Sequence, residues 1–340
     1  MEHHTYEKIV VDRFWIRKHN RVKTMKAVIL KERRISVEEI PLPSIEEGEA
    51  LIKVIKAGIC NTDLEMIKGY MDFEGILGHE FVGCVVQAPV KGWIGKRVVG
   101  EINIPCHKCE MCQEGYPKHC SSRRVLGIQD KDGVFAEFVT LPLSNLHNLP
   151  PEISDEEAVF IEPLAAALDV LEQVQIRKEH EVLVLGDGKL GLLIAQVVRT
   201  QTPHVFCIGH HPRKLAMLQK RGIQTASNKN DWNQKFDIIV EASGNPKGIP
   251  EALNRIKPRG KIVAKSTFYG DSEINISRMV IDEIQLIGSR CGPFKRALDY
   301  LRNKLIRVKD MIDGDYPLED AQEAFELAKK PDTIKVFLTP

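Results

Sequence analysis

No stretch of this 340-residue sequence is apolar for anything near the roughly 18 residues that a membrane-spanning helix needs. An excess of charge of either sign is missing as well. Forty-eight Lys and Arg stand against 47 Asp and Glu, and a formal charge of +1 gives no electrostatic basis for holding nucleic acid or a membrane surface. A small molecule is the expected partner. The N-terminus has no hydrophobic core followed by small residues, as a secretion signal would, so a cytoplasmic location is expected. Internal repeats and low-complexity segments are also lacking, which sets solenoids and disordered arrays aside. The composition that remains, 43% hydrophobic and 28% charged, is that of a globular chain with room for two domains.

Cysteine is not scarce, but it is unevenly placed. Cys106, Cys109, Cys112 and Cys120 crowd together, while Cys60, Cys84, Cys207 and Cys291 stand alone. That is a metal pattern more than a disulfide framework. The spacing C-x2-C-x2-C-x7-C brings four thiolates together locally and suits the closed, tetrahedral coordination of structural zinc. The alternatives are a disulfide pair, isolated core cysteines or an iron–sulfur cluster.

Residues 1–24 carry six Lys/Arg, three Asp/Glu and three His with no clear period, and read as an N-terminal extension. A first strand is expected at Met25–Leu30. From there to about Leu149 the apolar runs are short and broken by Gly and Pro, as in Ala50–Val54 and Phe81–Val86, which points to a mostly β domain. After Glu162 strands and helices alternate, the texture of a doubly wound parallel sheet. A helix-rich stretch follows Phe294 and ends in the strand-like Ile334–Leu338.

Within the alternating part, Val182–Leu185 runs into Gly186-Asp187-Gly188-Lys189-Leu190-Gly191, a buried strand followed by G-x-G-x-x-G and an apolar helix. A glycine triplet alone is weak evidence, but a strand before it and a helix after it give it meaning. Gly186 would make the tight turn, Gly188 would let the backbone approach a pyrophosphate, and Gly191 would let the helix pack on its strand. Lys189 and Leu190 open the helix whose free N–H groups would face the phosphates. The acidic residue that holds the ribose hydroxyls of NAD is missing from the end of the second strand. Gly209 stands there, followed by His210, His211, Arg213 and Lys214, a space with cations that favours NADP(H) over NAD(H). The alternative is that these are solvated residues at a helix start.

A second, dispersed constellation comprises Cys60 in Gly-Ile-Cys-Asn-Thr-Asp, His79 in Gly78-His79-Glu80, and Glu162 in Glu162-Pro163-Leu164. Thiolate, imidazole and carboxylate would hold zinc while leaving a coordination position open. The order of these pieces, with the four-cysteine lobe and the glycine fingerprint between and after them, resembles the zinc-containing alcohol and polyol dehydrogenase branch of the medium-chain dehydrogenase/reductase superfamily. The resemblance covers nearly everything from Met25 onward.

It implies an α/β chain with a GroES-like, mostly β catalytic domain at residues 25–160 and 291–340, and a Rossmann domain at 161–290. By the same resemblance Cys60 and His79 are ligands of a catalytic zinc, Glu80 is a ligand in some states, and Glu162 completes or water-bridges the site. Asp63 would orient His79. Thr62 would accept the substrate proton, with Glu65 where many relatives carry the outer histidine of the relay and Asn61 where some carry a phosphate-binding arginine. One catalytic and one structural zinc, an alcohol or carbonyl substrate and a homo-oligomer, dimer or tetramer, are expected. Two rivals stand beside it: a zinc-free reductase of the superfamily, which would lack Cys60, Glu162 and the cysteine lobe, and a non-catalytic nucleotide-binding or crystallin-like member, which would not need Thr62 or an intact metal site.

Overall fold

The computed structural model describes residues 23–227, 232–267 and 271–340. The extension read from residues 1–24 lies outside them except for Lys23 and Thr24. The chain divides into two units, one running through Glu162 and resuming at Val308–Pro340, the other Pro163–Arg307.

The first unit is mostly β. A hairpin of β1 (Thr24–Lys31) and β2 (Arg34–Pro41) pairs antiparallel, and β1 also takes the short β4 (Gly75–Ile76). The main sheet is built from β3 (Glu49–Gly58), β5 (Glu80–Gln87), β6 (Arg97–Gly100), β10 (Phe138–Pro142) and β11 (Leu146–Asn148). All of β5 but its last residue is buried, which is why its sequence is a continuous apolar run rather than an alternating one. A small sheet of β7 (Asn103–Ile104), β8 (Arg124–Leu126) and β9 (Asp130–Lys131) flanks the cysteine lobe.

The second unit is a parallel sheet of six strands: β12 (Val182–Leu185), β13 (Val205–Ile208), β14 (Gln224–Ala226), β15 (Phe236–Glu241), β16 (Ile256–Ala264) and β17 (Gln285–Gly288). The order β14-β13-β12-β15-β16-β17 reverses direction beside β12, the arrangement that opens a crevice at the carboxyl ends of the strands. Both β12 and β13 are buried at every position. Phe206 and Phe236 meet edge to face at 5.2 Å between centroids in the core.

The chain then returns to the first unit, where β18 (Ile312–Pro317) and β19 (Lys335–Thr339) extend the main sheet by pairing β19 against β3. The boundary differs from the one expected at residue 291. The helix Phe294–Arg302 belongs with the dinucleotide fold, since Arg296 pairs with Glu172 at 2.7 Å and Arg307 N–H donates to Gln196 at 2.9 Å. Its inward face, Phe294, Ala297, Leu298 and Leu301, is buried. Among the described residues, no helix is long and apolar enough to cross a membrane.

Candidate active site

At the end of β3 the chain turns through Cys60, the N-cap of a short helix, Asn61–Ile67. Asp63, at the third position of that helix, closes the cap by accepting the Cys60 N–H at 2.7 Å. Its other oxygen accepts the Gly78 N–H at 3.2 Å and faces His79 Nδ1 at 3.5 Å. One carboxylate, 0% exposed, therefore ties the loop that carries Cys60 to the loop that carries His79. Gly78 has φ +96°, and a Cβ there would lie 2.6 Å from the ring of Phe135. Glycine lets the backbone pass under that ring and deliver His79 to the interior.

The ligand atoms of Cys60, His79 and Glu80 all lie within 4.8 Å of one another. Glu80 Oε2 is ion-paired with Lys335 Nζ from β19, with both side chains buried. Glu80 Oε1 and His79 Nδ1 are buried without a hydrogen-bond partner. Leaving Glu80 Oε1 unsatisfied costs about 1–3 kcal/mol, a cost that a cation held beside it would remove, while His79 Nδ1 faces Asp63 and leaves the other ring nitrogen for a metal. Burial opposes a charged imidazole at His79, yet Asp63 and Cys60 outweigh it and carry its pKa well above the ordinary value. Lys335 is raised likewise, burial being overcome first by Glu80 and then by Cys60. A thiolate, an imidazole and a carboxylate in a pocket that favours positive charge fit zinc.

Thr62 Oγ1 lies 3.8 Å from Cys60 Sγ and is half-buried, at the rim of the cluster. Glu65, expected as the outer relay group, is placed elsewhere. Helical spacing turns Asp63 and Met66 inward and Glu65 outward, where it bonds Lys68 at 2.7 Å. Asn61 is exposed. Glu162, expected to complete or bridge the site, is not in the 4.8 Å cluster; it opens the helix Ile161–Gln173, at the point where the chain leaves the first unit.

Cys106, Cys109, Cys112 and Cys120 form the second set of ligand atoms within 4.8 Å of one another, and none is in a disulfide. His107 adopts φ +57°, folding the chain back so that the N–H groups of Lys108 and Cys109 both reach Cys106 Sγ at 3.4 Å. The backbone N–H groups of Cys112 and Ser121 draw the Cys109 thiol down to about 6. Lost hydration and the adjoining sulfurs of Cys109 and Cys120 push Cys112 up to about 12. Four sulfurs packed this closely cannot all ionise unless a cation joins them, which is the demand of a closed zinc site.

In the second unit Gly186 takes φ +110°, and a Cβ on Gly191 would collide with the Gly186 carbonyl, so the turn and the close helix both need glycine. Gly188 is the N-cap of the helix Lys189–Arg199, with no side chain capping it and open space above its Cα. Lys189 and Leu190 form the first turn, half-buried. That exposed row of backbone donors suits a pyrophosphate. At the end of β13, Gly209 is buried, His210 and Arg213 are exposed, and Lys214 is buried in the next helix. Two residues with a bearing on the sites were not singled out from the sequence. Lys335 interrupts an apolar strand, the one signal that could have flagged it, and Asp187 stands between two fingerprint glycines.

A β unit that clusters side chains able to hold a metal and a parallel sheet with a glycine fingerprint together form the architecture of a metal-dependent dehydrogenase. The alcohol dehydrogenase GroES-like domain model matches residues 46–151, and the glucose dehydrogenase C-terminus model matches residues 156–339, more than half of the chain. The chain belongs to the zinc-containing medium-chain dehydrogenase/reductase family, in its alcohol and polyol dehydrogenase branch, and is an oxidoreductase of that class. It is 28% identical over 340 residues to the erythritol/L-threitol dehydrogenase of Mycolicibacterium smegmatis, covering 89% of this chain and 94% of that one. A solved alcohol dehydrogenase from Escherichia coli complexed with NADH is 26% identical, with a TM-score of 0.87 over 94% of this chain and 100% of the other. A zinc-binding dehydrogenase from Sinorhizobium meliloti bound to NADP is 27% identical, with a TM-score of 0.86 over 93% of this chain and 99% of the other.

Proposed function

We propose that this chain oxidises a small alcohol or polyol, or reduces the matching carbonyl compound, by exchanging hydride with a nicotinamide dinucleotide. The observation that carries the reading is the buried cluster of Cys60, His79 and Glu80, with the Thr62 hydroxyl 3.8 Å from Cys60 Sγ. When bound, zinc supplies a Lewis acid that lowers the pKa of a substrate hydroxyl, and the nicotinamide supplies the hydride acceptor or donor. The side chains do the rest. Cys60 and His79 hold the metal, and Asp63 keeps their two loops in place. Glu80 is a ligand under restraint, one oxygen retained by Lys335 and the other unpaired. Thr62 relays the substrate proton, accepting it as its own hydroxyl proton passes outward to solvent at the rim of the cluster, and Glu162, outside the tight cluster, acts on the site through a bridging water. Cys106, Cys109, Cys112 and Cys120 hold a second, structural zinc.

The relative named for erythritol and L-threitol supports a short polyol as the first substrate to try. Metal analysis followed by a panel of alcohols, polyols, aldehydes and ketones with both cofactors tests the proposal. Two zinc ions per chain and turnover of a polyol or secondary alcohol are expected. A zinc-loaded chain that binds cofactor but moves no hydride to or from any of these classes would sink it.

A homo-oligomer, dimer or tetramer, and a cytoplasmic location are part of the same proposal. β17 is the outer strand of its sheet, and on the helix before it Ile276, Val280 and Ile281 are 62%, 71% and 79% exposed. Unpaired edges with apolar neighbours are surfaces that proteins ordinarily cover. A monomer in sedimentation at micromolar concentration would remove the oligomer. On cofactor choice two features pull apart. Gly209 and the cations after it support NADP(H), whereas the carboxylate of Asp187 supports NAD(H).

A further inference from the structure

We infer that Asp187 is the residue that selects the cofactor, supplying from the glycine fingerprint the carboxylate that is missing from the end of β13, and that the chain therefore prefers NAD(H). The inference rests on the dehydrogenase reading above. Its basis is the packing of two strand ends. β12 and β13 run parallel with Leu185 beside Ile208, so Asp187 and Gly209 leave the sheet side by side. A Cβ added to Gly209 would collide with the carboxyl group of Asp187. The space that a glycine at this position leaves, which reads from sequence as room for a 2′-phosphate, is already filled.

The filling group also takes the donors that a phosphate would use. Asp187 Oδ2 accepts the His210 N–H at 2.9 Å and the His211 N–H at 2.7 Å, and Oδ1 lies 3.0 Å from His211 Nδ1. These two backbone N–H groups lead into the helix Pro212–Gln219 and are the turn's ready anion site. The anion seated on them belongs to the protein. Asp187 is 4% exposed and held at both oxygens, so it cannot swing away without giving up the N–H groups of His210 and His211 and its contact with the His211 ring. A second anion brought to the same turn meets a fixed negative charge and finds its backbone donors engaged. An unphosphorylated ribose brings only hydroxyls, which a carboxylate can accept.

The test is direct binding of NADH and NADPH, followed by nicotinamide fluorescence without substrate, to the wild type, Asp187→Asn and Asp187→Ser. Asparagine keeps an acceptor for the turn and removes the charge, while serine also shortens the side chain. The double variant Asp187→Ser with Gly209→Asp returns a carboxylate to the strand end with the collision relieved. The wild type is expected to bind NADH more tightly than NADPH. Both single variants should shift the ratio of the two dissociation constants by tenfold or more toward NADPH, and the double variant should move it back. A shift driven by charge appears in that ratio, whereas a merely structural role would weaken both cofactors alike. A wild type that prefers NADPH, or a ratio unmoved in variants that still bind, overturns the role of Asp187. Binding of neither cofactor by the folded wild type overturns the dehydrogenase reading itself.

Discussion

Lys335→Met should destabilise the metal-free protein far more than the zinc-loaded one. Lys335 and Glu80 are 1% exposed each, and the lysine ammonium also lies 5.7 Å from the centre of the Phe160 ring and 3.4 Å from the Ile59 carbonyl. Methionine matches the length of the stem, so packing around it changes little. What changes is charge. Without zinc, the Glu80 carboxylate loses the ammonium paired with it, and breaking a buried pair from one side costs about 3–5 kcal/mol. With zinc bound the carboxylate has another cation beside it, and most of that loss is recovered. By linkage the variant fold must then hold zinc more tightly than the wild type. The assay is urea unfolding of wild type and variant, each stripped of metal and each zinc-loaded, with zinc affinity measured by chelator competition. Equal destabilisation of the two forms, or zinc affinity unchanged, would refute the idea that Lys335 and the metal compete for Glu80.

Cys109→Ser should empty the cysteine lobe and lower stability and solubility more than it slows the molecules that survive, because a closed site contributes folding energy. Normal melting with two zinc ions per chain would refute it. Thr62→Ala should leave cofactor binding intact and slow turnover by about 10² to 10⁴-fold, the usual worth of a positioned proton acceptor. Undiminished turnover would take Thr62 out of the proton path. For Glu162→Ala, a loss of zinc affinity of about 10 to 100-fold is expected, the size for a residue that acts on a ligand sphere from outside it. A much larger loss would make Glu162 a direct ligand, and no loss would separate it from the site.

The parts of the sites that a sequence reveals are those whose residues are close along the chain. The four-cysteine lobe is one such case: a single left-handed residue, His107, and one turn of helix bring the sulfurs together, so spacing alone carries the geometry. The glycine fingerprint is another, with Gly186 and Gly191 touching across one tight turn. The alternation of strand and helix after Glu162 showed the parallel sheet for a related reason, since each crossover is local. Glu65 is close to Cys60 along the chain, yet the structure turns it away from the cluster. Its position was carried over from relatives that have a histidine there, and the helix Asn61–Ile67 points that position at Lys68 and solvent.

Contacts made by strand pairing are not legible in this way. Lys335 reaches Glu80 because β3 pairs with β5 on one side and β19 on the other, placing Gly58 beside both Glu80 and Phe337. A Cβ on Gly58 would lie 2.7 Å from Glu80 Oε2 and 3.3 Å from Lys335 Cδ, so the buried ion pair passes over a missing side chain. Gly209 stands in the same relation to Asp187. In both places the glycine looks permissive when read alone, a point of flexibility or a space for a ligand. In both places the structure makes it obligatory, because a carboxylate from a neighbouring strand end occupies the volume where its side chain would be. A glycine next to a strand end therefore says that something approaches closely, and only the register of the neighbouring strand says whether that something is a ligand or the protein's own acid. Here the register answers for the protein's own acid twice, once at Glu80 in the metal cluster and once at Asp187 beside the dinucleotide turn, and neither the lysine that pairs with the first nor the turn contacts of the second can be read from the motifs alone.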